Sequence, residues 1–136
     1  MASGEASLEY RNWVIIGPES VDAAQAALAA GEQDRLWQFV EAFYAAQQAE
    51  NSGYVTDDFL LGIAEEAGVP DIEQWEGDRQ DPGLEAELRE TSQEAQQLGL
   101  TGTPSIVVEG SDGQQQVVTD LTAEGIQTAI DEASAG

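Results

Sequence analysis

Residues 98–108 read LGLTGTPSIVV, and the arrangement of the whole chain follows from this short run. Upstream of it, apolar residues recur every three or four positions, the period of a helix; from Ser105 onward, β-branched residues stand side by side. Gly99 therefore closes a helix, and Thr101-Gly102-Thr103-Pro104 turns the chain directly into a strand. A proline at a strand's start has no N–H to donate, which leaves a gap in the ladder where another extended segment can approach. X-Pro bonds are cis in only about 5–6% of cases, so position alone favours a trans Thr103-Pro104 bond.

Downstream, Ser105–Glu109 is a predicted strand, Ser111-Asp112-Gly113 a turn and Gln115–Thr119 a second strand, together a hairpin. Thr122 caps a last helix with Ile126, Ala129, Ile130 and Ala133 on one face. Upstream, Asp81-Pro82 starts a helix presenting Leu84, Leu88, Thr91, Ala95 and Leu98. Asp71 caps a short helix carrying Ile72 and Trp75. Thr56 caps another, with Phe59, Leu60, Ile63, Ala64 and Ala67 apolar and Gly68 then Pro70 beyond its end. The strongest helical signal is Leu36, Phe39, Val40, Phe43 and Ala46, flanked by Trp37 and Tyr44. Pro18 and Ser20 open a helix with Val21, Ala24 and Leu28, stopped by Gly31. Before it, Leu8–Ile16 (LEYRNWVII) is β-rich, alternates imperfectly and predicts a strand ending at Gly17-Pro18. Residues 1–7 (MASGEAS) read as a disordered tail or an expression remnant. The order is strand, about five helices, hairpin, helix, which predicts one α/β domain over 8–136 with helices covering a small sheet.

Composition bounds the chemistry. The chain has 136 residues, four Lys+Arg against 27 Asp+Glu, a net charge of −23, and no His or Cys. The four basic residues are all arginine. Zinc sites, disulfides, thiol nucleophiles and imidazole bases are excluded for want of ligands, and P-loops and Schiff bases for want of lysine. Such an acidic surface repels phosphate backbones, so no nucleic-acid partner is expected. No apolar run approaches the roughly 18 residues of a membrane span, and no signal peptide is evident. Leu, Ile, Val and Phe supply 29 of the 136 residues. That is just above the roughly 20% below which highly charged chains stay unfolded, so periodicity decides for a folded domain. Acid on nearly every exposed face suits a high-salt medium, which screens the self-repulsion, and a halophilic source is expected.

The candidate sites are few. Asp57-Asp58 and the run from Asp78 to Gly83 lack the regular oxygen spacing around a turn glycine that calcium needs, and no carboxylate pair stands out for glycoside hydrolysis. No metal and no cofactor are expected. The aromatic stripe Trp37, Phe39, Phe43 and Tyr44 reads as core, with a ligand groove as the alternative. Arg11, Asn12 and Arg35 are scarce basic or polar groups beside apolar runs, and ion pairing with neighbouring acids is the expectation for the arginines.

Taken in order, four stretches carry a resemblance: Tyr10-Arg11-Asn12-Trp13, the alanine-rich helix after Ser20, Leu36-Trp37-Gln38-Phe39 with Phe43, and Gly99-Leu100-Thr101-Gly102-Thr103-Pro104-Ser105. Together they resemble the DsbA-like branch of the thioredoxin superfamily, over about Leu8 to Ala133. The resemblance implies a thioredoxin-like α/β fold interrupted by a helical insertion, here residues 19–98, with a Gly-Thr-cisPro loop, hairpin and C-terminal helix over 103–136. It implies that Thr103-Pro104 is cis and faces the redox centre and a bound substrate peptide, so Thr103 and Pro104 are the expected peptide-binding residues. It also implies an extracytoplasmic setting. In that family a strand and a helix carrying Cys-x-x-Cys come first, whereas this chain starts at the strand expected to follow them, so the fold is expected to be incomplete at its N-terminus.

Thiol–disulfide exchange requires a thiolate, and these residues contain none. The expected function is therefore a portion of a DsbA-like thiol–disulfide oxidoreductase for protein disulfide formation or isomerisation, itself non-catalytic. The alternative is a non-catalytic peptide-binding or assembly module of thioredoxin-like fold from a halophile. The expected partner is an extended peptide or protein substrate. Because the family's central strand would lie between Leu8–Ile16 and Ser105–Glu109, two edges are left without a neighbour, and a homodimer by exchange of a strand or helix is expected.

Overall fold

The chain holds twenty alanines, and six of them fall in a single helix, α1 (Pro18–Gly31). The computed structural model describes residues 5–135, so the first four residues of the tail expected over 1–7 lie outside the described residues. Proline sits in the first turn of α1, where a missing N–H costs nothing. Ala24, Ala26, Ala27, Ala29 and Ala30 are buried, and their methyl-sized side chains let other helices come close to the α1 backbone. The helix is closed by Asp34 in the left-handed region at φ 59°, with Arg35 N–H donating to the Ala30 carbonyl at 2.9 Å.

Three helices pack on α1: α2 (Leu36–Ala46), α3 (Asp57–Glu66) and α4 (Ile72–Asp78). The expected caps are present. Thr56 Oγ1 accepts from Phe59 N–H at 3.1 Å and Asp71 Oδ1 from Gln74 N–H at 2.9 Å. Gly68, at φ 71°, closes α3, with Val69 N–H reaching the Ala64 carbonyl at 3.0 Å. Trp75, Phe39 and Leu60 are the largest fully buried side chains. Each contributes about 1.5–3 kcal/mol by leaving water. Trp75 also satisfies its indole: Nε1 donates to the Ala26 carbonyl at 2.9 Å, which ties α4 to α1. Helix α5 (Pro82–Gln97) buries Leu84, Leu88, Thr91 and Ala95 along one stripe, as its spacing predicts. These five helices fill the stretch read from sequence as a helical insertion.

The chain comprises two compact units, one of residues 10–93 and one of the flanking segments up to 9 and from 94. The second unit contains a hairpin of β1 (Val107–Glu109) and β2 (Gln115–Val117), followed by α6 (Ala123–Ser134), which packs on β1. The strands are antiparallel, with Val107 opposite Val117 and Glu109 opposite Gln115. Both are shorter than the predicted 105–109 and 115–119, although Val118 N–H extends the ladder by one bond to the Ile106 carbonyl at 2.9 Å. Gly110 lets the hairpin lie close to α6: a Cβ there would lie 3.1 Å from the Ala133 carbonyl oxygen, tighter than an ordinary contact.

One expectation is corrected. Leu8–Ile16 forms no strand, and the sheet has two strands among the described residues. The β-rich composition is real, but a strand is made by a neighbouring strand's ladder, and among the described residues no strand pairs with this segment. Leu8, Ile15 and Ile16 accordingly remain 60%, 46% and 41% exposed.

Candidate functional site

The candidate loop is fixed at both ends. Upstream, Gly99 at φ 69° ends α5: its N–H donates to the Gln96 carbonyl at 3.1 Å and Leu100 N–H to the Ala95 carbonyl at 2.9 Å, which satisfies two orphan carbonyls of the last turn. Downstream, Ser105 Oγ donates to the Gly102 carbonyl at 2.6 Å. Between these anchors Thr103 and Pro104 are exposed. The one cis peptide bond among the described residues is Thr103–Pro104.

The strand that follows has a free side. In an antiparallel ladder, successive residues point their N–H and C=O alternately toward and away from the partner. Val118 N–H bonds the Ile106 carbonyl and Gly110 N–H the Gln114 carbonyl, both at 2.9 Å, so residues 106, 108 and 110 face β2. Val107 and Glu109 therefore aim their backbone groups the other way, where no strand lies among the described residues. The outcome is a short donor–acceptor row continuous with an exposed Thr-Pro-Ser loop. An extended polypeptide laid along it can form main-chain hydrogen bonds, while Val107 and Val108, half-buried, offer apolar contact.

The remaining candidates divide. Of the aromatic stripe, Phe39 is core and Phe43 packs partly buried against it, whereas Trp37 and Tyr44 are 43% and 57% exposed. Tyr10 stands edge-on to Trp37 with ring centroids 5.8 Å apart. Burial, then its hydrogen bond with Tyr44, pushes the Tyr10 phenol well above the usual range. Arg35 donates from Nε to the Gly68 carbonyl at 3.1 Å and from Nη1 to the Asp34 carbonyl at 2.9 Å, bracing two helix ends where ion pairing was expected. Asn12 Nδ2 is shut away from solvent without a partner among the described residues. Asp57, in the acidic pair that lacks calcium spacing, accepts from Arg79 Nη2 at 2.8 Å. Arg79 is a residue that sequence reasoning passes over: it is only 6% exposed, with its guanidinium 4.9 Å from the Trp75 ring centroid. Its place three residues after Glu76 and four after Trp75 is the one signal that marks it.

The chain is similar to known proteins over most of its length. The model of the DSBA-like thioredoxin domain family matches residues 7–130. Proteins described as "Probable disulfide bond formation protein D" from Bacillus anthracis and Bacillus cereus are each 31% identical over 112 residues, covering 79% of this chain and 51% of theirs. The chain thus spans about half the length of these curated relatives. The crystal structure of a thioredoxin-like oxidoreductase from Silicibacter pomeroyi superposes with a TM-score of 0.70 at 30% identity, over 93% of this chain and 68% of that one. With the family model matching residues 7–130 of its 136, the chain belongs to the DSBA-like thioredoxin domain family.

Proposed function

We propose that this chain holds an extended peptide for a DsbA-like disulfide oxidoreductase, at Thr103, Pro104 and the free side of β1, and performs no redox step itself. The observation that carries the reading is the exposed Thr-Pro-Ser loop running into a strand whose outward N–H and C=O groups, at Val107 and Glu109, have no partner strand among the described residues. Thiol–disulfide exchange begins with attack of a thiolate on a disulfide sulfur, and the 136 residues contain no cysteine, so any thiol must come from elsewhere. What the residues can do is orient: main-chain bonds along β1 fix a substrate segment in extended form, and the proline, lacking an N–H, leaves its approach open.

The test uses the direction of the ladder. Val107→Pro deletes one outward N–H and leaves every hydrogen bond to β2 in place, because Val107 does not donate to β2. Calorimetric titration with an uncharged, cysteine-free extended peptide should show binding to the native chain. Val107→Pro should weaken it about threefold to tenfold, the net worth of one hydrogen bond. Equal affinity for both chains contradicts the reading, as does dithiol-dependent reduction of a protein disulfide by the pure chain above buffer. A second copy of the chain is the rival occupant of this edge, favoured by the exposed Leu8, Ile15 and Ile16. A light-scattering mass of 14.5 kDa at tens of micromolar, with cooperative unfolding, excludes it.

A further inference from the structure

The exposed half of the aromatic stripe is not used by the peptide edge, and it has a chemistry of its own. Trp37, Glu41 and Tyr44 stand at i, i+4 and i+7 on α2, so all three project from one side of the helix. At a rise of about 1.5 Å per residue the two aromatic positions are roughly 10 Å apart along the axis, with the carboxylate between them. All three are exposed, in contrast to Phe39, Val40 and Ala42 on the buried side of the same helix. The rings are also held in place: Tyr10 packs edge-on against Trp37, while Phe43 stands edge-on to Tyr44 with centroids 6.0 Å apart. Ordered, solvent-facing indole and phenol rings flanking a carboxylate suit a cation, which gains from both ring faces and from the acid.

We propose that this face of α2 docks a basic segment of another protein, seating Arg or Lys side chains over Trp37 and Tyr44 with Glu41 as counter-ion. Charge selects that occupant. The chain carries 27 acidic residues against four arginines, so a second copy would be repelled and a cationic partner attracted. Nor can the chain's own cations readily fill the face. Arg79 is held by Asp57 and Glu76, Arg89 pairs with Glu85, Arg35 braces the Gly68 and Asp34 carbonyls, and Arg11 is engaged as well. Cations two apart on an extended segment share one face at about 6.6 Å and reach both rings by splaying their long side chains, and cations seven apart on a helix match the roughly 10 Å spacing directly.

The experiment must separate this face from the general acidic field. The probe is a synthetic peptide of alternating Gly and Arg, titrated at 0.15 M salt into the native chain and into the double variant W37A/Y44A, which leaves the net charge unchanged. The double variant should bind about tenfold more weakly, as expected for loss of two exposed cation–π contacts. Glu41→Gln should weaken binding more than Glu65→Gln, which alters charge equally on the exposed side of α3. Circular dichroism checks the fold of each variant; should W37A/Y44A unfold, the two single-charge variants decide alone. Equal binding by the native chain and the double variant, or equal loss from Glu41→Gln and Glu65→Gln, overturns the proposal, because the field alone would then account for the affinity. None of these substitutions touches β1 or the Thr103–Pro104 loop, so failure here leaves the peptide-edge reading standing.

Discussion

Arg79 shows how one residue can be placed by its packing more than by its charge. Its guanidinium lies over Trp75, bonds Asp57 at 2.8 Å and lies 3.3 Å from Glu76 Oε1, yet the Asp57 carboxylate is 87% exposed. Solvent screens that pair, so the stacked guanidinium and the buried stem carry most of the benefit. Arg79→Ala should therefore lower the unfolding free energy by about 2 kcal/mol, and Asp57→Asn by less than about 1 kcal/mol. Urea denaturation of the two variants checks this; an equal loss in both would mean the ion pair dominates. Its spacing from Trp75 and Glu76 is the only mark in the sequence, and the Asp57 contact leaves none, because spacing reports only neighbours on the same helix. Trp37 and Phe39 show the opposite case. They are two positions apart on α2, and a helical period places them on different sides whatever the composition around them.

At the scale of elements, what could be read in advance was whatever local chemistry decides. Thr56 and Asp71 accept from the third residue onward, Gly68 and Gly99 take left-handed conformations at helix ends, and the hairpin turns at Gly113, because caps and turns are settled within a few residues. Helices α1 to α6 consequently lie close to where periodicity put them. Leu8–Ile16 was not legible in the same way. Its residues favour a strand, but a strand depends on what lies beside it, and no ladder forms along 8–16. The site divides likewise. The Gly-Thr-Pro-Ser loop was visible as punctuation between a helix and a strand. The free side of β1 required the register, since which residues turn outward depends on Val107 standing opposite Val117.

For the whole molecule, the charge balance is the dominant variable. With −23 distributed over mostly exposed acids, folding compresses like charges, and salt relieves that repulsion as the Debye length falls from about 10 Å at 0.1 M to about 3 Å at 1 M. The melting temperature should rise between 0.1 and 2 M KCl, and a flat profile by calorimetry would contradict a halophilic design. The central claim, that a chain without thiols uses the cis-proline loop and the outer side of β1 to hold an extended peptide, calls for a residue-resolved readout. In an amide-resolved NMR titration of the isotopically labelled chain with an uncharged, cysteine-free extended peptide, the account predicts the largest shifts at Gly102, Thr103, Ser105, Val107 and Glu109, with Val107 and Glu109 N–H newly protected from exchange. Shifts confined to residues 10–93, or no change along 102–109 at saturating peptide, would contradict it.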